Sequence, residues 1–381
     1  MRSAVPQHIP SLGVFALSLA LCNTGCAQSG EAAASALPAA AASTVSSASA
    51  LSQLSKAVAP TLATAKIPGN PRLNHHYISE KKLAALPVPQ QSPELAQSLA
   101  GLQTGSIDER KARLKAKTMA DMVYVQGGSF MRGDFTRLMG IEGITRMTSK
   151  EDDKVVKEIT LSDFWIGKYK VTYAEFDVFT DATGRPRTGI GYGGIQDERH
   201  PTVPARAYWQ TAKDYCLWLG QLTGLPMDLP TEAQWEYAAR SRGQFFAVAT
   251  DDGNVEYGRN LPYAAQEEVI SPIGSMGVYP VGLFPPNPLG LYDMSDNGVE
   301  WVNDWYAADA YATADSRDPQ GPATGTERVM RSGAADSPLI GSTVHRYSAK
   351  PLWTEKDDDT GKIVPSPSAF APALRCVVSP R

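Results

Sequence analysis

The stretch Leu229-Pro-Thr-Glu-Ala-Gln-Trp-Glu-Tyr-Ala-Ala-Arg240 holds the densest local information in the chain. Thr231 offers a hydroxyl to cap a helix, and Gln234 stands three residues on to return the bond. Trp235, Ala238 and Ala239 then give apolar positions at helical spacing. The pattern predicts a helix from Thr231 to about Arg240. Upstream, Trp209 to Gly220 reads as another helix, with Ala212, Tyr215, Cys216 and Leu219 on one face. Ser106-Ile-Asp-Glu109 has the capping-box form, and Arg110 to Ala120 contains no breaker, so a short basic helix is expected there. Met122-Val-Tyr-Val125 is β-rich and stops at Gly127-Gly128, a strand and its turn. Beyond it short β-like runs alternate with a few helices. No internal repeat is visible, and the texture is mixed α+β.

The chain has 381 residues, 43% apolar and 8% aromatic, enough to bury a sizeable core. Lys and Arg total 36 against 40 Asp and Glu, which excludes a nucleic-acid binder built on bulk positive charge. With 32 Gly and 28 Pro, a loop-rich fold suits the chain better than a helical bundle. No run reaches the roughly 18 apolar residues of a membrane-spanning helix. The apolar run Leu12 to Leu21 after Arg2 has instead the length of a secretory signal. Thr24-Gly25 before Cys26 resembles a bacterial lipobox, although Asn23 departs from it, and Cys26 is the expected lipidation site. The other reading is an ordinary cleaved signal. Residues 27–68 are dominated by Ala, Ser, Thr and Pro, a composition that cannot bury enough apolar surface to offset its ordering entropy. The expected organisation is therefore a signal over 1–26, a tether and linker over 27–105, a short helix over 106–121 and a domain over 122–381. The expected location is the periplasmic side of a bacterial membrane, held by lipid.

Within 122–381 several segments act as a set: Met122 to Met131, Phe164 to Thr172, Ala212 to Trp218, Leu229 to Arg240, Asn287 to Met294 with Glu300-Trp301, and Leu374-Arg-Cys-Val377. In this order and spacing they resemble the formylglycine-generating enzyme, or sulfatase-modifying factor, family. The resemblance implies an α+β, loop-rich fold of the C-type-lectin-like kind, with little regular secondary structure. The family's enzymes oxidise a substrate cysteine with two cysteines that bind copper, because soft thiolates select Cu(I). Set against that pattern, Ser342 and Tyr347 stand where the two cysteines would be. A hydroxyl and a phenol cannot replace them, so neither copper nor the family oxidase reaction is expected.

The resemblance also implies a disulfide between Cys216 and Cys376, which a signal-bearing chain would form in an oxidising compartment. Two separate buried thiols are the alternative. It implies a calcium site at Asp293, Asp296, Gly298 and Glu300, with carboxylates from Asp293 and Glu300 and main-chain carbonyls from Asp296 and Gly298. A surface turn held by its own hydrogen bonds is the alternative there. A second calcium site would begin at Asn260-Leu261, but Ile273 stands in place of its carboxylate, and it is expected to be lost.

No Gly-x-Ser-x-Gly, P-loop or His-Glu-x-x-His pattern appears. Of the histidines only His345, beside Arg346 and Tyr347, sits where a pocket is expected. Trp353, followed by charges and the Asp357–Asp359 triplet, reads as an interface anchor on a projecting loop. The leading expectation is a membrane-tethered, catalytically inactive binding protein whose partner, through Trp353 and His345, is a secreted effector or envelope protein. The competing class is a metal-dependent oxidase or hydroxylase with a site near His345, Tyr347 and Trp353. A purely structural envelope lipoprotein is the third.

Overall fold

Among the described residues, helices α1 (Ser47–Leu51), α2 (Pro93–Gly101) and α3 (Ile107–Asp121) precede β1 (Met122–Val125). The computed structural model describes residues 47–56, 87–140, 146–190, 199–274, 278–333, 342–356, 360–366 and 371–380. The described residues fall in one compact unit, Thr44–Arg381. The expected signal, Cys26, most of the tether and Asp357–Asp359 lie outside the described residues.

After β1 come β2 (Gly128–Arg132), β3 (Lys157–Leu161), β4 (Phe164–Gly167), α4 (Tyr173–Thr183) and α5 (Trp209–Thr223). Then follow β5 (Met227–Asp228), α6 (Glu232–Ala239), α7 (Ala264–Ile270), β6 (Glu300–Trp305) and α8 (Ala310–Thr313). The remaining strands are β7 (Arg328–Arg331), β8 (Tyr347–Ala349), β9 (Thr354–Lys356), β10 (Ile363–Pro365) and β11 (Val377–Val378). The fold is mixed α+β, with small antiparallel sheets. One has the order β1-β4-β11-β5, another β6-β7-β8, and β2-β3 and β9-β10 are two-stranded.

Local sequence explains the helices that position the site. Thr231 Oγ1 accepts from the Gln234 amide at 3.2 Å, and the Gln234 side chain accepts from the Thr231 N–H at 3.0 Å. Ser106 and Glu109 form the same box at the start of α3. Helix α5 ends at Gly224, whose φ of 82° lets the chain reverse without Cβ strain.

The expected boundary at residue 122 falls inside the packed unit. Leu114 of α3 is fully buried, and Lys117 ties α3 to α4 through Glu175 at 2.8 Å. Helix α2, within the expected linker, is capped by Ser92 and buries Leu95, Leu99 and then Leu102 in the main core. Leucines spaced four and three apart make a helical stripe even in Pro-punctuated sequence. Trp165 Nε1 donates to Ser55 O at 2.8 Å, and Ala50 and Leu54 join the same core, so part of the expected tether is packed too.

The Cys216–Cys376 disulfide is present, with its Cα atoms 5.6 Å apart. It joins the buried face of α5 to the residue before β11, the strand flanked by β4 and β5.

Candidate functional site

Helix α6 enters the interior with a carboxylate, Glu232, that is 1% exposed. Arg132 donates to it at 2.9 Å, Arg331 at 2.9 Å, and Arg346 through two bonds at 2.7 and 3.0 Å. One turn on, Glu236 accepts from Arg240 at 2.8 Å, from Arg331, from the Tyr311 hydroxyl and from the Gly133 N–H. Burial alone would raise the Glu232 pKa, but the guanidiniums of Arg346, Arg132 and Arg331 hold it well below the usual carboxylate range. Beside it Asp304 accepts the backbone N–H of Glu232 at 2.8 Å. Burial and the neighbouring Glu232 charge push the Asp304 carboxyl up to about 7. This buried network clamps β2, β7, α8 and the 342–346 segment onto α6.

That segment is where the family's cysteines were expected. Ser342 is buried, and its hydroxyl accepts from the His345 N–H at 3.2 Å. Thr343 Oγ1 donates to Phe246 O at 2.6 Å, its N–H to Ala247 O at 2.8 Å, and its carbonyl accepts from Arg331. Tyr347 lies on β8, opposite Met330, half-exposed and 4.3 Å from the His345 ring. Two of the expected positions, His345 and Tyr347, therefore share a small aromatic surface. Trp353, expected on a projecting loop, is instead half-buried. Its ring lies 6.1 Å from both Trp301 and Tyr208, rings distant in sequence that draw it onto the core. Nearby Leu352 is 44% exposed.

The residues expected to ring calcium are together, but a cation of the chain stands among them. Buried Lys170 donates to Asp296 O at 2.8 Å, to Asn297 O at 3.3 Å and to Gly298 O, with Glu300 Oε1 at 3.5 Å. Both Glu300 oxygens are held by Arg375, at 2.7 and 2.9 Å. The Asp293 carboxylate accepts from the Gly282 N–H at 3.0 Å, and that of Asp296 from the Tyr279 hydroxyl at 2.6 Å. Calcium takes about six to eight oxygens at about 2.3–2.6 Å, and an ammonium at the centre leaves no room for that shell. The expected donor set does not fit the ion. At the second expected site Asn260 is buried and hydrogen-bonded to Glu256, Asp251 and Asn254, while Ile273 packs against the main core. Among the described residues no group of three or more His, Cys, Asp or Glu side chains is set to hold a metal.

Lys170 and the arginines around Glu232 were not singled out from sequence. The Tyr169-Lys170-Val171 run was visible, but nothing local marks a lysine whose partners lie some 126 residues on.

A family model described as the sulfatase-modifying factor enzyme 1-like domain matches residues 108–355, more than half of the chain. The chain belongs to this family. Among curated proteins, a serine/threonine-protein kinase pkn1 of Chlamydia caviae is 30% identical over 252 residues, 60% of this chain and 35% of that protein. A formylglycine-generating enzyme of Thermomonospora curvata is 29% identical over 269 residues, 56% of this chain and 82% of that protein. The structure of PvdO from Pseudomonas aeruginosa is similar with a TM-score of 0.50 at 26% identity, covering 68% of this chain and 94% of that one. The chain spans about a third of the length of the pkn1 relatives it matches.

Within the sulfatase-modifying-factor-like domain Cys216 and Cys376 are the only cysteines, and they are bridged to each other. The domain lacks the catalytic cysteine pair. No two thiolates remain there for Cu(I).

Proposed function

We propose that this protein is a lipid-anchored, non-catalytic member of its family that binds a protein partner, a secreted effector or another envelope protein. One observation carries the reading. The segment expected to hold the copper-binding thiols is used for structure on its inner side, and its His345–Tyr347 ring pair is left half-buried. Ser342 and Thr343 are bonded inward, Arg346 is locked onto Glu232, His345 and Tyr347 pack ring to ring half-buried, and Leu352 is exposed. Such a surface suits recognition, since aromatic side chains bury large area at low entropic cost. The anchor at Cys26 belongs to this proposal. Among the described residues no helix is long and apolar enough to cross a membrane, so attachment there would come from lipid.

The test uses the full chain in its native envelope, with a photo-cross-linking residue at Leu352. A specific protein adduct is expected, and Tyr347→Ala combined with His345→Ala should abolish it without moving the melting temperature by more than about 2 °C. An adduct undiminished in that double variant counts against this face. Cys26→Ala should move the protein from the membrane to the soluble fraction; a variant still membrane-bound and of unchanged size contradicts the anchor.

A further inference from the structure

We propose that Lys170 supplies from within the chain the cation that related domains take up as calcium, so that this fold is held without the metal. The argument is geometric. Residues 293–300 turn their carbonyls inward through unusual backbone: Asp293 and Asn297 have φ of 58° and 55°, Gly298 86°, and Ser332 opposite them 75°. Left-handed conformations at non-glycine residues are unfavourable, and Asp and Asn tolerate them best. Three successive carbonyls converging on one point repel one another unless a cation sits there. The Lys170 ammonium occupies that point, with the Ser332 hydroxyl at 3.4 Å completing its surroundings.

The Lys170 side chain is fully buried, and its backbone aims it at the ring. Its segment is fixed on both sides, Lys168 N–H to Asp121 O at 2.8 Å and Val171 N–H to Leu374 O at 2.9 Å. The Lys168 carbonyl in turn accepts from Tyr292 N–H at 3.0 Å, at the head of the turn. Glu300, the strongest expected calcium ligand, already faces two positive groups, Lys170 and Arg375. A divalent ion would add positive charge beside both in a buried site, where screening is weak. One ammonium with three donors matches the three carbonyls it meets.

The experiment compares melting of the full chain in chelator and in millimolar calcium, for wild type and for Lys170→Ala. Wild type is expected to melt at the same temperature in both. Lys170→Ala, which removes the ammonium and opens the ring, should melt roughly 10 °C lower in chelator and recover part of that loss in calcium. It should also bind terbium with luminescence sensitised by Trp301, displaceable by calcium, which wild type should not show. A wild-type melting temperature that rises with calcium overturns the proposal. So does a Lys170→Ala protein that is as stable as wild type, or destabilised and indifferent to calcium. The wild-type arm needs no variant and decides the question even where Lys170→Ala cannot be purified.

Discussion

Glu232→Gln is expected to lower the melting temperature by roughly 10 °C or more. The substitution keeps the shape and removes one charge from a site where Arg132, Arg331 and Arg346 all point at it. Removing one partner of a buried pair costs about 3–5 kcal/mol, because the charges left behind stay desolvated. Asp304 limits the loss. Its carboxyl is pushed up by burial and by Glu232 itself, so without Glu232 it ionises more readily and compensates some of the arginine charge. The two carboxyls also act oppositely on pH dependence. Glu232, with its pKa depressed in the fold, contributes stability that is present above its unfolded value and lost as the pH falls through the folded one. Asp304, raised to about 7, takes stability away as the pH rises from about 4 toward 7. Wild type should therefore melt highest in mildly acidic solution, and Glu232→Gln should show a shallower acid-side dependence, the rest being carried by carboxylates such as Glu300 that are also held low. The control is Asp108→Asn, which is 85% exposed beside Lys111 and where less than about 1 kcal/mol is expected. Equal losses in both variants would contradict the weight given to the buried network.

Replacing both Cys216 and Cys376 with alanine is expected to cost about 2–5 kcal/mol. The bridge closes a loop of 160 residues, for which the chain-entropy model gives about 5 kcal/mol. Both cysteines are buried, so reductant should open the bridge only after unfolding. Chemical denaturation with and without reductant reads the effect. Two freely alkylated thiols in denatured, unreduced protein would contradict the bridge.

The fold was readable where its determinants are local or belong to a dense motif. The boxes at Ser106 and Thr231 announce α3 and α6, and Met122–Val125 is a strand in sequence and structure alike. Strands β5 and β11 have two residues each, too few to show a period; β11 forms against β4 and β5 against β11, beside α5 and the disulfide. The arginine cluster was hidden for a related reason. Arg132, Glu232, Arg331 and Arg346 span more than two hundred residues, and nothing near any of them in sequence names its partners. Trp353 read as a projecting anchor because its neighbours in sequence are charged, whereas its neighbours in space are Tyr208 and Trp301. The lost thiols needed no structure: a missing cysteine is visible in sequence. What replaces them, hydroxyls tied to Phe246 and His345, was not.

The central claim is that the scaffold of this family persists here without its oxidase chemistry. The direct measurement incubates the purified full chain with Cu(I), oxygen and a cysteine-containing peptide of the kind that formylglycine-generating enzymes oxidise, and follows the peptide by mass spectrometry. The cysteine is expected to survive unconverted at every copper concentration, with no copper retained at the 342–347 segment. Enzyme-dependent appearance of the aldehyde would contradict the account.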